Sequence, residues 1–430
     1  MIKYDELRDT DQDWLGKIPI NWNLSRVGNF FKERTDKVDD LTYPPLSVTM
    51  SGIVEQLSNV AKTSESGNRK LVKKNDFVIN SRSDRKGSSG ISPREGSVSL
   101  INTVLEPKGI ESQYIEYLFK SYYFKEEYFR NGKGIHWDLW TTKWEKFKNI
   151  KIPVPTIEDQ KLISNYLNNQ TERIDSLIEK IQQKIALLKE KKISSRNKYV
   201  TQGLNADVKM KDSNVAWIKE VPKHWKIIRL SNLGQFRKGK NITKSDLIND
   251  GLPVILYSHI YTTYSRIVSN PSFFINKDLA NQSTKISKNT FLFTSSGESK
   301  EDIGKCLLFV GDSTYVGGDT IIFDLDSNLD LDPEFLSFSF NSSYCVNQKS
   351  SNSRGDIVVH LYEKQLRKIF IPIPPLNEQV EISSRLKKLE NDTNVILSRL
   401  ESKINLLKEY RQALIFSAVT GKIKVSEDMK

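Results

Sequence analysis

The chain contains an internal duplication, and this feature restricts its architecture more than any other. A first group of residues, Trp14, Pro19, Trp22 and Arg26, recurs 203 residues later as Trp217, Pro222, Trp225 and Arg229. A second group, Ile152-Pro153-Val154-Pro155 with Gln160, recurs 219 residues later as Ile371-Pro372-Ile373-Pro374 with Gln379. Self-similarity at a fixed offset indicates one structural framework used twice. The two halves of the chain are therefore predicted to be duplicates.

The segments between these repeated groups diverge strongly. The offset grows from 203 to 219, so the second copy carries about sixteen additional residues between the two groups. A shared framework with two dissimilar inserts favours one architecture that performs two different recognition tasks. This is the central interpretation of the sequence.

Two long helices follow from the hydrophobic pattern. Residues 158–198 contain no Pro or Gly, and apolar residues recur every seven positions, as in a coiled coil. Proline-rich segments precede both helices, and Gly203 and Gly421 are suitable C-terminal breakers. Thr393 is expected to be a weak point of the second apolar stripe. The residues predicted to pair the helices are Leu167, Ile174, Ile181, Leu188, Leu386, Leu400 and Leu407.

Such a helix of about 40 residues spans roughly 60 Å. Antiparallel pairing would relate the copies by a pseudo-twofold axis and make the helices a spacer, with the N-terminal segment near the end of helix two. A helix pair that only dimerises, or that packs on its own domain, is the alternative. The tryptophans of the leads are expected to be structural anchors rather than base-stacking residues.

The predicted fold class is α+β, with two similar mixed domains separated by two long antiparallel coiled-coil helices. Short alternating apolar runs with turn residues, and one helical stretch in each insert, support the mixed content. The predicted boundaries are a lead at 1–22, domain 1 at 23–155, helix 1 at 156–203, a linker at 204–225, domain 2 at 226–374, helix 2 at 375–421 and a tail at 422–430.

In both inserts an apolar strand is followed by a polar loop rich in Gly and Ser. Such loops carry the side chains that recognise base edges, and basic Gly-containing turns can contact phosphates. In domain 1 the predicted DNA-binding residues are Ser81, Arg82, Ser83, Arg85, Lys86, Lys133 and His136. In domain 2 they are Arg237, Lys238, Lys240, Ser258, His259, Tyr261, Ser295, Ser296, Glu298, Lys300 and Arg354. For any single residue, a solvated surface position or a turn is the alternative.

Composition agrees with a polyanionic partner, because the formal net charge is +12. Two cysteines without a CxxC pair and four scattered histidines predict a reducing compartment and no metal site. The N-terminus resembles no signal peptide and no apolar stretch approaches 18 residues, so we expect a soluble, cytoplasmic protein without membrane contact.

No catalytic motif is convincing in this sequence. A Walker A loop is absent, and Tyr43-Pro44-Pro45-Leu46 lacks the Asn or Asp that a methyltransferase motif requires. Glu298-Ser299-Lys300 resembles part of a nuclease motif but has no convincing aspartate before it. Two rival functions stay open: a self-sufficient DNA nuclease or methyltransferase, and a coiled-coil DNA scaffold without sequence preference.

Nearly the whole chain resembles the specificity subunit of type I restriction–modification systems. The resemblance is carried by the paired Trp-x4-Pro-x2-Trp leads, the paired IPxP-x4-Gln entries into the helices, the KxxLLKE stretches and the KMKDS linker. It implies two target-recognition domains that bind double-stranded DNA, each recognising one half of an interrupted site. It also implies a non-catalytic chain with two methylation subunits and with motor-nuclease subunits as partners. S-adenosylmethionine, ATP and Mg²⁺ then belong to those partners, and this chain binds no cofactor itself.

Overall fold

The structure, a computed structural model, describes residues 3–56, 67–134, 140–297, 299, 303–353 and 359–427. The chain forms two compact units. Unit 1 contains Met1–Gln182 and Glu401–Lys430, and unit 2 contains Gln183–Leu400. Unit 1 is therefore built from two separate stretches of sequence, whereas unit 2 is one continuous stretch.

The first half of the chain contributes short strands, short helices and the first long helix. The strands are β1 (Leu7–Asp9), β2 (Lys17–Pro19), β3 (Asn23–Arg26), β4 (Phe31–Glu33), β5 (Lys37–Val38), β6 (Leu46–Thr49), β7 (Gly52–Glu55), β8 (Arg69–Val72), β9 (Phe77–Asn80), β10 (Ser89–Ile91), β11 (Gly96–Ser99), β12 (Asn102–Pro107) and β13 (Lys151–Val154). The helices are α1 (Ser112–Lys120), α2 (Tyr122–Arg130), α3 (Trp144–Phe147) and α4 (Ile157–Gln202).

The second half repeats this pattern with more strands. They are β14 (Met210–Asp212), β15 (Glu220–Pro222), β16 (Lys226–Arg229), β17 (Gly234–Lys238), β18 (Leu252–Ile255), β19 (Ile267–Val268), β20 (Phe274–Ile275), β21 (Thr284–Ser287), β22 (Thr290–Thr294), β23 (Ser296–Gly297), β24 (Cys306–Phe309), β25 (Ser313–Val316), β26 (Thr320–Leu325), β27 (Val359–His360) and β28 (Phe370–Ile373). The helices are α5 (Tyr257–Thr262), α6 (Lys277–Asn281), α7 (Pro333–Phe340), α8 (Ser343–Asn352), α9 (Glu363–Leu366) and α10 (Leu376–Val419).

In unit 1 the main sheet has the strand order β10-β9-β12-β4, and all its pairings are antiparallel. Its core is aromatic: Phe119 of α1 stacks on Phe124 of α2 and meets Phe77 of β9 edge to face. All three rings are fully buried. Aromatic burial of this extent fixes α1 and α2 against the sheet.

In unit 2 the corresponding sheet has the order β17-β26-β22-β24-β19. Phe291 of β22 packs edge to face on Phe340 of α7, and both rings are fully buried. A second sheet in this unit has the order β20-β18-β25-β21, and unit 1 likewise has a second sheet, β11-β8-β5. The α+β class and the duplication predicted from the sequence are thus confirmed.

The repeated framework keeps its hydrogen bonds as well as its residues. In unit 1, β3 pairs with β13 so that Arg26 faces Lys151, and in unit 2, β16 pairs with β28 so that Arg229 faces Phe370. These paired strands lead into and out of each insert. Each insert therefore leaves and returns at one fixed place on its unit.

A buried glutamine connects each insert to the start of a long helix. Gln160 accepts a hydrogen bond from the Glu111 N–H (2.8 Å) and donates to the Pro155 carbonyl (2.9 Å). Gln379 accepts from the Asp332 N–H (2.9 Å) and donates to the Pro374 carbonyl (2.9 Å). Glu111 and Asp332 are the N-caps of α1 and α7. Both units thus tie a short helix of the insert, α1 or α7, to the start of its long helix in the same way.

The lead tryptophans have different environments. Trp14, Trp22 and Trp225 are buried, whereas Trp217 is half exposed. In unit 1, the Lys422 ammonium donates to the Leu15 carbonyl (2.8 Å), and a side chain at Gly421 would clash with Pro19. The lead segment therefore packs at the end of α10.

The long helices contact each other along the apolar stripe. In unit 1, Leu167, Ile174 and Ile181 are buried and Leu407 is half-buried. In unit 2, Leu386 is buried and Leu188 and Leu400 are half-buried. Thr393, expected to be a weak point, is also buried at 6% exposure. Asp175 contacts Arg411 in unit 1 and Lys192 contacts Glu390 in unit 2, which is the order of an antiparallel pair.

Across the residues that the structure describes, no helix combines the length and the apolar character needed to cross a membrane.

Candidate nucleic-acid interface

The polar loop of domain 1 begins where the buried strand β9 ends. Strand β9 is preceded by Asn75, whose φ of 72° lies in the left-handed region. The loop continues as a 3-10 turn over Ser83–Arg85. Arg82, Arg85 and Lys86 are exposed, so their charged ends are accessible to a ligand.

The base of this loop is fixed by backbone hydrogen bonds to a second segment. The Thr142 N–H donates to the Ser81 carbonyl (2.9 Å), and the Arg82 N–H donates to the Asn80 side chain (3.0 Å). Thr141 exchanges backbone hydrogen bonds with Lys133 (3.0 and 3.2 Å). Arg82 and Lys133, which are 51 positions apart, are therefore both bridged to Thr141. His136 lies outside the described residues.

The charged residues of the loop differ in their partners. Lys86 forms an ion pair with Glu126 (2.5 Å) and lies over the Phe129 ring at 5.5 Å. In the part of the chain that the structure describes, the side chains of Arg82 and Arg85 form no ion pair and no hydrogen bond. These two guanidinium groups therefore keep all their donors available. The Ser83 side chain lies outside the described residues.

Ser81 has a structural position rather than an accessible one. It is 6% exposed, and its hydroxyl donates to the Ile101 carbonyl. Because its hydroxyl is already used at the base of the loop, Ser81 no longer qualifies as a base-contacting residue.

Domain 2 repeats this arrangement with different side chains. The Leu361 N–H donates to the Ser295 carbonyl (2.8 Å), in the position of the Thr142–Ser81 bond. Ser296 lies on β23, opposite His360 of β27, and its hydroxyl is 3.2 Å from the His360 Nδ1. Ser295 is buried and Ser296 is half-buried. Glu298, Lys300 and Arg354 lie outside the described residues.

His360 and Tyr362 were missed as candidates in the sequence. Their rings stack with centroids 6.2 Å apart, and Tyr362 is 52% exposed. The duplication could have identified His360, because it lies 219 residues after Thr141, the residue that bridges Arg82 and Lys133.

The prediction that His259 contacts DNA is corrected by its burial. The ring is 5% exposed and stacks on Phe273 at 3.6 Å, while its Nδ1 accepts the Leu256 N–H (3.2 Å). Burial, with a smaller effect of Lys244, lowers the pKa of His259 to about 4. A neutral, buried imidazole of this kind belongs to the core.

Tyr261 and Ser258 also lie on helix α5. The Tyr261 hydroxyl is 2.7 Å from the Thr294 hydroxyl and donates to the Ser296 carbonyl (3.1 Å). Tyr261 therefore supports the base of the second loop. Ser258 is half-buried, and its carbonyl accepts from Thr262 (3.0 Å).

The basic residues at the end of β17 differ in their contacts within the domain. Arg237 forms two hydrogen bonds with Asp324 (2.6 and 3.1 Å) and a third with the Lys285 carbonyl (3.2 Å). It is consequently engaged within the domain. Lys238 and Lys240 are exposed. Among the described residues, no group of three or more His, Cys, Asp or Glu side chains is placed to hold a metal ion.

Comparison with known proteins gives a consistent result. A family model described as the type I restriction modification DNA specificity domain matches residues 19–187 and 222–406. The type I restriction enzyme MjaVIII specificity subunit of Methanocaldococcus jannaschii is 24% identical, over 95% of this chain and 94% of its own length. The EcoKI specificity subunit of Escherichia coli is 27% identical, over 47% of this chain and 44% of its own length.

Solved structures share the fold. A chain from a study titled "Structural basis underlying complex assembly and conformational transition of the type I R-M system" has a TM-score of 0.66 at 15% identity. The HsdS subunit from Thermoanaerobacter tengcongensis has a TM-score of 0.55 at 16% identity. Each comparison covers 94% of this chain and 98% of the other chain.

Proposed function

This chain belongs to the family of type I restriction–modification DNA specificity subunits, and on this premise we propose that Arg82 and Arg85 read bases in one half of its target. The domains that carry sequence specificity are the two inserts. Each insert presents one polar loop on a rigid strand. The proposal assigns one loop to each half of an interrupted DNA site.

One observation carries the proposal for domain 1: two exposed arginines, whose side chains have no partner among the described residues, lie on a loop whose base is fixed. An arginine fork makes paired hydrogen bonds to O6 and N7 of guanine in the major groove. Such contacts discriminate well only if the supporting backbone is rigid. The bonds of Ser81 and Asn80 to this loop supply that rigidity. Lys133, bridged to the same loop through Thr141, is suited to a phosphate contact.

Domain 2 offers different chemistry at the corresponding place. Ser296, His360 and Tyr362 present a hydroxyl, an imidazole and a phenol instead of guanidinium groups. A serine hydroxyl contacts either kind of base, so this surface lacks the guanine preference of an arginine fork. We therefore expect the two halves of the target to differ in sequence. Lys238 and Lys240 are assigned to the DNA backbone.

The catalytic steps are assigned to partner subunits. In this proposal two methylation subunits bind S-adenosylmethionine and methylate adenine, and motor-nuclease subunits use ATP and Mg²⁺. This chain contributes selection of the sequence and supplies no reacting group.

The decisive experiment is alanine substitution of Arg82 and Arg85, one at a time, in the complex assembled with its partner subunits. Methylation of DNA molecules with single base changes gives the discrimination at every target position. We expect each variant to lose about 1–3 kcal/mol of discrimination at one base pair, in one half of the target only. Arg94→Ala is the matched control, because Arg94 is an exposed arginine at the opposite end of β10 that pairs with Glu55.

Two results would contradict the proposal. Unchanged discrimination in both arginine variants would remove these residues from the reading surface. Methylation or cleavage of DNA by the purified chain alone would establish the rival enzymatic function.

A further inference from the structure

The contact between each insert and the long helices differs between the two units. In unit 1, Tyr117 of α1 provides it, because its hydroxyl donates to the Asn168 side chain (2.8 Å) and lies 3.2 Å from the Thr171 hydroxyl. Both partners lie on α4. Tyr117 therefore joins the insert of unit 1 to its helix by uncharged hydrogen bonds, in addition to the bond from the Ser164 hydroxyl to the Glu111 carboxylate (2.7 Å).

Unit 2 has no hydroxyl at the corresponding position. The glutamine bonds to Glu111 and Asp332 align α1 with α7, which places Phe338 where unit 1 has Tyr117. The offset of 219 places Glu390 where unit 1 has Thr171. A phenylalanine thus faces a carboxylate, and these two groups cannot form a hydrogen bond.

Arg266 fills this gap. Its guanidinium lies 3.5 Å over the Phe338 ring and donates twice to the Glu390 carboxylate, at 3.1 and 3.2 Å. Its third hydrogen bond goes to the Ser337 hydroxyl. Arg266 is 8% exposed, so this arginine is held almost entirely inside unit 2.

Glu390 also connects the two long helices of unit 2. Its second oxygen is 3.2 Å from the Lys192 ammonium on α4, and Lys192 in turn donates to Asn394 (3.0 Å). Burial by itself raises the pKa of Glu390, but Arg266 and Lys192 outweigh it and hold this pKa below its usual value. One ionised carboxylate therefore joins the insert to both helices.

The arginine is not a general requirement of the fold. The sequence Ser265-Arg266-Ile267-Val268 corresponds to Ser51-Gly52-Ile53-Val54 in unit 1, which has glycine at the arginine position. There, a cavity of about 440 Å³ is lined by residues that include Ser51, Glu116, Tyr117 and Asn168. Unit 1 makes its contact with Tyr117, and the arginine that lines this cavity, Arg411, comes from α10 and not from the insert.

Stability does not explain a buried ion pair well. Removing two charges from water costs about as much as their attraction returns, and well-packed apolar residues often stabilise a protein equally. A guanidinium held by two bonds to a carboxylate, one to a hydroxyl and a ring face has a defined orientation. An apolar contact tolerates sliding and rotation. The arrangement is therefore suited to fixing geometry.

We propose that Arg266 and Glu390 are positioning residues that orient the second reading domain on its helices and so control base discrimination in one half of the target. The inference rests on the proposed function, in which the insert of unit 2 reads that half. Neither residue touches DNA in this proposal. Their effect passes through the orientation of β19, which Arg266 immediately precedes, and of α7, which carries its ring partner Phe338.

The experiment compares Glu390→Gln with Asp175→Asn in the complex assembled with its partner subunits. Methylation of DNA molecules with single base changes is measured in each half of the target. We expect Glu390→Gln to lower discrimination about tenfold in one half and to leave the other half unchanged. Asp175→Asn is the matched control: its pair with Arg411 joins the long helices, as Lys192 and Asn394 do, and among the described residues Asp175 forms no hydrogen bond or ion pair with an insert. We expect it to change neither half.

A second variant separates orientation from stability. In Arg266→Leu with Glu390→Gln, the Arg266 guanidinium is removed together with the carboxylate that pairs with it, and the amide oxygen can still accept from Lys192. Arg196, a further arginine that interacts with Glu390, is unchanged in both variants. We expect this double variant to regain the melting temperature but not the discrimination. Arg266→Lys, which keeps the charge and loses the fork, is expected to show the same selective loss if Glu390→Gln does not assemble.

Three results would overturn the inference while leaving the proposed function intact. They are an equal loss in both halves, no loss in either half, and recovery of discrimination together with stability in the double variant. A wild-type complex without base preference in either half would overturn the proposed function and this inference together.

Discussion

At the scale of single residues, burial decides which polar side chains can contact DNA. His259 and Arg85 both lie in polar, turn-like sequence, yet one is 5% exposed and the other stands on an open loop. Their local sequences do not reveal this difference. His259 lies inside because α5 packs on β22 and Phe273 covers the ring.

The burial of His259 predicts a dependence of stability on pH. Its pKa is lowered to about 4 in the folded state and is near 6.5 in the unfolded state. As pH falls from about 6.5 to about 4, His259 binds a proton in the unfolded chain but not in the folded chain. We expect the free energy of unfolding to decrease by up to about 3 kcal/mol between pH 7 and pH 4 from this residue alone, at 1.36 kcal/mol per pKa unit.

Urea denaturation of the wild type and His259→Asn across this pH range measures the effect. The variant lacks the group and should show a shallower decrease. His224→Gln is the control, since His224 is 46% exposed and pairs with Glu378 at the surface. An identical pH dependence in the wild type and His259→Asn would contradict the assignment.

At the scale of elements, the sequence predicts the helices that recur in both halves, but it does not predict pairs of residues that are distant in sequence. Proline before each long helix and glycine after it predicted α4 at 156–203, and the structure has it at Ile157–Gln202. The heptad spacing predicted the contact face. By contrast, Arg266 and Glu390 are 124 positions apart, and no local pattern connects them. Their pairing depends on tertiary structure, which propensity and periodicity do not encode.

The buried glutamines permit a prediction about these element junctions. Gln379→Met removes three hydrogen bonds, to Asp332, Asp330 and Pro374, and leaves their backbone groups without this partner. Gln160→Met removes two, to Glu111 and Pro155. We expect a loss of about 2–4 kcal/mol in the free energy of unfolding for Gln379→Met, and a smaller loss for Gln160→Met.

Chemical denaturation of both variants tests this order. Gln412→Met, an exposed glutamine of α10, serves as the control and should be close to neutral. A greater cost for Gln160→Met than for Gln379→Met would show that the number of hydrogen bonds does not determine the cost.

At the scale of the whole molecule, the duplication was the most informative property of the sequence. Repeated Trp, Pro and Gln positions predicted two copies of one α+β framework, and the strand pairings β3–β13 and β16–β28 reproduce one another. The inserts could not be predicted in the same detail, because divergence removes the internal comparison. Both inserts accordingly contain a second sheet that was not predicted from the sequence, β11-β8-β5 in domain 1 and β20-β18-β25-β21 in domain 2.

The proposed spacer role of the long helices predicts the effect of shortening them. Deletion of residues 183–189 with 396–402 removes one heptad from each helix and keeps the apolar stripe in phase. Seven residues correspond to about 10 Å of helix, or about three base pairs. We expect the preferred gap between the two halves of the target to shorten by about three base pairs, as measured by methylation of DNA with varied gaps.

Deletion of only 183–189 is the comparison, since it shortens one helix and misaligns the pair. We expect that complex to lose activity rather than to select a new gap. A preferred gap that is the same after the paired deletion would exclude the spacer role.

The discontinuity of unit 1 has a consequence for synthesis on the ribosome. Its apolar core includes Trp14 and Trp22 from the beginning of the chain, but also Leu414, Ile423 and Val425. Unit 2, an uninterrupted stretch, contains all its own core residues by Leu400. The first part of unit 1 is therefore synthesised long before the residues that complete its apolar core, whereas unit 2 can fold as soon as Leu400 has been translated. Premature termination before residue 414 would leave unit 2 intact and unit 1 with an open apolar face.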